Sequence, residues 1–286
     1  MENALIYSYK LTGDGAGKAV SAERITELLK SDSLAWAHLW VGHPDTEPFL
    51  KKNLRGLDPA ILQALMAEET RPRASEIGGG FLIVLRGANT EQGSAAEDLV
   101  SVRLWIDERR IISLQRKKVQ AVADIAHRID AGRGPADPGR FLAELVEGLT
   151  RRLEPVITQL DEAVDDIEEH FVEHEDQDLR GDLLEMRKRT IGLRRYLGPQ
   201  RDAMSMLQLG QVGWLHEGDR RSLHENHDRL QRMVEDLDAL RERSQIIKDE
   251  LSNALAEKLN RNMYLLSVVG AIFLPLGFLT GLMGVN

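Results

Sequence analysis

The 286-residue sequence contains no cysteine. That excludes disulfides, thiolate metal sites and cysteine nucleophiles, and it fits a reducing compartment. Positive charge is also scarce: 37 Lys and Arg stand against 46 Asp and Glu, a formal net charge of −9. Nucleic acid wants a basic face, so it is set aside as a partner. No nucleophile motif, no His-Glu-x-x-His and no phosphate-binding glycine loop occurs. The chain is therefore read as not an enzyme, with no means of coupling to ATP. The run Gly78-Gly79-Gly80 precedes a strand pattern instead of following one, so it reads as a turn. The amino terminus, MENALIYSYK, has no basic segment leading into an apolar one, and no cleaved signal peptide is expected.

Charge is missing altogether from one long stretch. Between Met263 and Val285 no residue is ionisable as Asp, Glu, Lys or Arg. About 20 apolar helical residues cross a bilayer's hydrocarbon core. Lys248, Lys258 and Arg261 flank its start, which places the preceding chain in the cytoplasm by the positive-inside rule. The expected fold is an α+β membrane protein in four parts. Residues 1–135 read as a cytoplasmic α/β domain, with strands over 5–9, 34–41, 80–88, 99–106 and 109–114. Helical spacing fills 21–31, 44–54, 58–68 and 118–131 between them. Gly132 to Gly139 is the clearest linker. Residues 136–218 are a helical region, 219–262 a stalk helix, and 263–286 a transmembrane helix.

Within the helical region, a stripe from Leu142 to Phe171 predicts one helix bent slightly at Pro155. A second helix over about 179–197 should end at Gly198-Pro199, with a short one to Gln208. The stalk begins with Ser222 and Glu225 as a capping box, or near Asp219. Leu223, Leu230, Leu237, Ser244 and Leu251 recur every seven residues, with Met233, Leu240, Ile247 and Ala254 as companions. This heptad seam predicts packing against other helices and, in the favoured arrangement, against other copies of the chain. No Pro or Gly interrupts Asp219 to Val269, so one helix of about 60 residues, roughly 90 Å, is expected to run into the membrane.

The apolar run closes on Gly284-Val285-Asn286, after Pro275, Gly277, Phe278, Thr280 and Gly281. A Gly-x-Asn triplet ending such a span, behind a long charged helix, resembles the CorA superfamily of divalent-cation transporters. Gly-Val-Asn, with the stretch MRKRTIGLRRYLGPQRDAMSML over 186–207, is similar to its zinc-transporter, ZntB-like branch. The resemblance implies a homopentamer in the bacterial inner membrane, with Zn2+ as cargo and Mg2+, Co2+, Ni2+ or Cd2+ as further candidates. It also implies a second span after the motif, so these 286 residues read as a fragment of such a protein. A Mg2+/Co2+ channel, or a membrane-anchored coiled-coil scaffold without transport, are the alternatives. By motif alignment, Met263 and Leu266 fall where the family has an apolar constriction. Leu274 and Gly277 fall where other members carry Met and Thr. Asp249 lies near the family's acidic ring below the membrane, and Asn260 and Asn262 flank the pore entrance.

From the residues themselves, Met263, Ser267, Gly270, Leu274, Gly277, Gly281 and Gly284 share one helix face. Small residues there mean either close helix packing or a wide pore lining for a hydrated ion. Asn286 is either a helix-ending residue or a hard amide oxygen that hydrogen-bonds an ion's water shell. The eleven acids between Asp161 and Asp182 face a single Arg180. They form either a solvated face or a reservoir that concentrates cations. His170 and His174, four residues apart with Asp166 and Glu173 nearby, could hold zinc weakly, as could His224 and His227 with His216 upstream.

Overall fold

The computed structural model describes residues 4–54, 58–91, 93–95, 97–173 and 179–284. The chain divides into two compact units, Met1–Leu160 with Arg189–Asp238, and Asp161–Lys188 with Ala239–Asn286. The first unit is built on a seven-stranded sheet ordered β2-β1-β3-β7-β6-β5-β4. Its strands are β1 Leu5–Leu11, β2 Gly17–Ala19, β3 Ala35–Trp40, β4 Arg73–Ile77, β5 Gly80–Gly87, β6 Val100–Ile106 and β7 Arg110–Gln115. β3 and β7 pair in parallel at the centre, and the remaining pairs are antiparallel. The central strands are buried on both faces, which explains why they read as apolar runs and not as alternation.

Helices cover both faces. α1 (Ala22–Leu28), α2 (Thr46–Asn53) and α3 (Pro59–Met66) carry one core with Ala35, Ala37, Leu39, Trp105, Ile112 and Leu114. Trp36, on the opposite face of β3, meets Phe141 edge-on with ring centroids 5.0 Å apart. Phe141 belongs to α5 (Pro138–Arg151), which packs with α4 (Gln120–Asp130). Local chemistry sets the starts of these helices. Asp58 and Asp137 cap α3 and α5 by accepting from Ala60 N and Arg140 N, each with Pro at the first helical position. Gly78 and Gly79 sit at φ +54° and +82°, so the expected turn is a tight hairpin between β4 and β5 that requires the left-handed region twice.

Three helices complete the chain: α6 Glu154–Glu173, α7 Arg180–Leu209 and α8 Glu217–Leu282. Two expectations about them are corrected and one alternative is decided. Pro155 does not bend a single helix. The chain breaks after Arg151, and Pro155 lies in the first turn of α6, where its missing N–H costs nothing. Pro199 does not end α7, which runs 30 residues straight past it. Leu193, Leu197, Gln200, Met204 and Leu207 form one buried stripe across the proline, and that packing outweighs one lost helical hydrogen bond. Of the two starts offered for α8, the one near Asp219 holds: the helix begins at Glu217, Arg220 N bonds to His216 O, and Asp219 is buried in its first turn.

The heptad seam is real but is satisfied inside one copy. Leu223, Leu230, Leu237 and Ser244 are fully buried in the single chain, and Met233, Leu240, Ile247 and Leu251 nearly so. Ser244 resolves its own burial by donating to Leu240 O at 2.7 Å. Within the first unit, Arg229 reaches Glu154 of α6, and Arg194 of α7 reaches Asp238. Within the second, Arg187 of α7 donates to Gln245. The covering helices are thus α6 and α7 of the same chain, so the burial does not require a neighbouring copy.

Candidate functional site: an apolar span and charged helices

From Ala256 onward every described residue of α8 is exposed except Gly270. Met263, Leu266, Leu274 and Leu282 each leave two-thirds or more of their surface bare. The run's mean hydropathy reaches 2.2, and it is the one helical stretch among the described residues long and apolar enough to cross a membrane. A bare apolar helix of this length is stable only where lipid or other helices cover it. Its polar groups are closed internally: Ser267 Oγ donates to Met263 O at 2.8 Å and Thr280 Oγ1 to Leu276 O at 3.0 Å.

The small-residue face is open. No atom lies within 4 Å of a Cβ built on Gly270, Gly277 or Gly281. Gly284 adopts φ +62°, the left-handed conformation with which a glycine ends a helix, so the first residue of the triplet turns the chain off the α8 axis. Val285 and Asn286 lie outside the described residues.

The candidate metal-ligating residues fall into separate places. Asp249 is exposed and accepts from Gln245 Nε2 at 2.9 Å, not from Lys248 or Arg243. His170 is exposed, with Nδ1 2.7 Å from Asp166 O, and His174 lies outside the described residues. The acidic helix has an occupant that the sequence reading missed. Arg243 of α8 bonds Asp161 at 3.0 Å, Asp165 at 2.5 Å and Glu168 at 2.6 Å. The hydrogen bonds it donates to Glu168 and then Asp165 push its pKa above the usual arginine value. Three acids of the supposed reservoir therefore share one positive charge supplied by the protein itself. His224 and His227 have a third companion, Asp228. Ligand atoms of all three lie within 4.8 Å of one another, whereas His216 is not in the group.

Deep in the first unit stand two basic groups of structural character. Arg103 is 1% exposed and donates to the carbonyls of Leu65 and Glu68. Burial lowers its pKa to about 10, with Arg116 and Arg86 adding to the shift. Arg86 stacks on Tyr196 at 4.1 Å, and its backbone N–H and C=O are both held by the Gln200 amide, at 2.6 and 2.9 Å.

This combination, a two-faced sheet unit followed by long helices and one bare apolar segment, defines a helical-stalk membrane protein. Residues 31–286 match the family described as CorA-like Mg2+ transporter protein. The chain belongs to that family. It is 34% identical over 281 residues to the zinc transport protein ZntB of Yersinia enterocolitica, covering 98% of this chain and 84% of that protein. It is 38% identical over 290 residues to the divalent cation transporter CmaX of Pseudomonas aeruginosa, covering 100% and 86%. The solved full-length CmaX protein superimposes with a TM-score of 0.90 at 36% identity, covering 99% of this chain and 88% of that one.

Proposed function

We propose that this chain supplies the cytoplasmic unit, the stalk and the first pore-lining helix of a Zn2+ transporter that assembles as a homopentamer in the bacterial inner membrane. One observation carries the reading. A bare, uncharged segment with an open small-residue face closes on a left-handed Gly284, in a chain of the CorA-like family. The names of the two relatives point to zinc or to a wider range of divalent cations.

In this reading, the five small-residue faces meet around an axis. A glycine-lined path is wide enough for an ion that keeps its water shell. Gly277 offers no hydroxyl, so selection falls to the Asn286 amides at the mouth, which hydrogen-bond the hydrated ion without stripping it. Met263 and Leu266 form the apolar constriction at the other end. The membrane potential drives entry: a divalent ion gains about 4.6 kcal/mol per 100 mV. Flux of Zn2+ into proteoliposomes of the full-length protein, with and without a pH gradient, tests it. Zinc uptake supports the reading, Mg2+ uptake without Zn2+ transfers the chain to the magnesium branch, and no flux of either ion rejects transport.

A further inference from the structure

The His224–His227–Asp228 group lies on the first three turns of α8, 35 residues before Met263, and the proposed transport path does not use it. The three residues occupy positions i, i+3 and i+4, so the helix places all three side chains over one turn. His224 Nε2 stands 3.7 Å from Asp228 Oδ2, and His227 Nδ1 stands 3.2 Å from Asp228 Oδ1. The edge of a tetrahedron around zinc, with Zn–N bonds of roughly 2.0–2.1 Å, is about 3.4 Å. The two separations, to different oxygens of Asp228, lie either side of that edge, and one ligand atom from each of the three residues lies within 4.8 Å of the others. The imidazole rings lie parallel, 4° apart in plane and 6.4 Å between centroids.

A second observation concerns the nitrogen that would not bind metal. His224 Nδ1 is 3.3 Å from the Gln208 side-chain oxygen, on α7. Gln208 is oriented by its own NH2 group, which donates to Leu223 O at 3.4 Å. The amide therefore presents an acceptor to His224. With Nδ1 donating there, the lone pair of Nε2 faces Asp228. A metal-binding histidine ordinarily has its other ring nitrogen tied in this way. The acidic helix shows no counterpart: among the described residues, no other set of three His or acidic ligands comes within reach of one ion.

We propose that His224, His227 and Asp228 bind a borderline-soft divalent ion, Zn2+ foremost, with water completing the shell. Two imidazoles and one carboxylate suit Zn2+, Co2+ or Ni2+, whereas Mg2+ seeks oxygen ligands and keeps its water. Three side-chain ligands, with His224 exposed and Asp228 about half exposed, make an exchangeable site, open to solution zinc. Because it lies on the third turn of α8, where His224 meets Gln208 of α7, occupancy stiffens that junction. The site stands whether or not the chain carries zinc across a membrane.

The test is equilibrium binding of Zn2+ to the whole protein in detergent, in excess Mg2+, comparing wild type with the His224→Gln/His227→Gln, Asp228→Asn and His170→Gln variants. The double variant should lose one zinc per chain, and Asp228→Asn should bind that zinc about tenfold or more weakly. His170→Gln should match wild type. Zinc should also protect His224 and His227, and not His170, from imidazole acylation mapped by mass spectrometry on wild-type protein, which needs no variant to fold. An unchanged zinc count and affinity in a double variant with wild-type helicity would overturn the proposal. So would equal acylation of His224 and His227 with and without zinc.

Discussion

Replacing Leu237 by alanine separates a seam within one copy from a seam between copies. Leu237 is fully buried with only its own chain present, and Leu230, Val234 and Leu240 around it on α8 are buried as well. Deleting three methylene-equivalents from such a site costs about 2–5 kcal/mol, the upper part applying where rigid neighbours cannot close the void. Leu237 is wholly buried, so about 3 kcal/mol, the middle of that range, is the expected loss. For a unit of this size that lowers the melting midpoint by roughly 6–12 °C. Trp36, Trp105 and Trp214 are buried in the same unit and report its unfolding by fluorescence. The whole protein in detergent would be melted over about a hundredfold range of concentration, since a seam between copies makes the midpoint follow mass action. The expected result is a constant deficit at every concentration. A deficit that shrinks to nothing on dilution, or one of only a degree or so throughout, would refute the intrachain packing.

Arg243→Gln should lower the melting temperature of the second unit by the equivalent of about 1 kcal/mol at low salt. Its three carboxylate partners are 41–60% exposed and each pair is screened. The difference should vanish in molar salt, and calorimetry should show stronger divalent-cation binding once Arg243 no longer offsets part of the acids' charge. Burial lowers the His38 pKa to about 4 against 6.5 when unfolded. The unfolded state therefore binds the extra proton between those values, and stability should be flat above pH 6.5 and fall by roughly 3 kcal/mol as pH drops to 4. His38→Gln should flatten that slope, as read from denaturant midpoints across pH. Asn286→Ala should abolish Zn2+ uptake by full-length protein while size-exclusion profile and melting stay unchanged; normal uptake would remove Asn286 from selectivity.

The parts that were readable from the sequence are those governed by one-dimensional pattern. The strands β1, β3, β5, β6 and β7 emerged within one or two residues of their ends, because apolar runs of that length bounded by turns have few other uses. β2 and β4 did not. Both are edge strands, Gly17-Lys18-Ala19 and Arg73 to Ile77, and half-exposed polar pairing leaves no hydrophobic signature. The proline readings failed for opposite reasons. At Pro155 a buried stripe was continuous in sequence although the chain turned, and at Pro199 tertiary packing overrode a strong local breaker. At the polar sites, spacing revealed pairs but not their partners. His224 and His227 announced themselves at i and i+3, while Gln208, 16 residues away, and Arg243, 75 residues from Glu168, could be found only in three dimensions.

The Gln200 clamp on Arg86 has a bearing on synthesis. β4 pairs with β5 only as far as Val84, so the backbone of Arg86 would face outward as a free strand edge. The Gln200 amide fills that place as a one-residue stand-in for a strand, but it arrives 114 residues later in the chain. At ribosomal speeds of about 5–20 residues per second the sheet waits roughly 6–23 s for its seal. During that interval the nascent sheet carries an open edge, on which a second nascent chain could add. A fragment ending before Gln200 would keep that stretch of edge unsealed permanently.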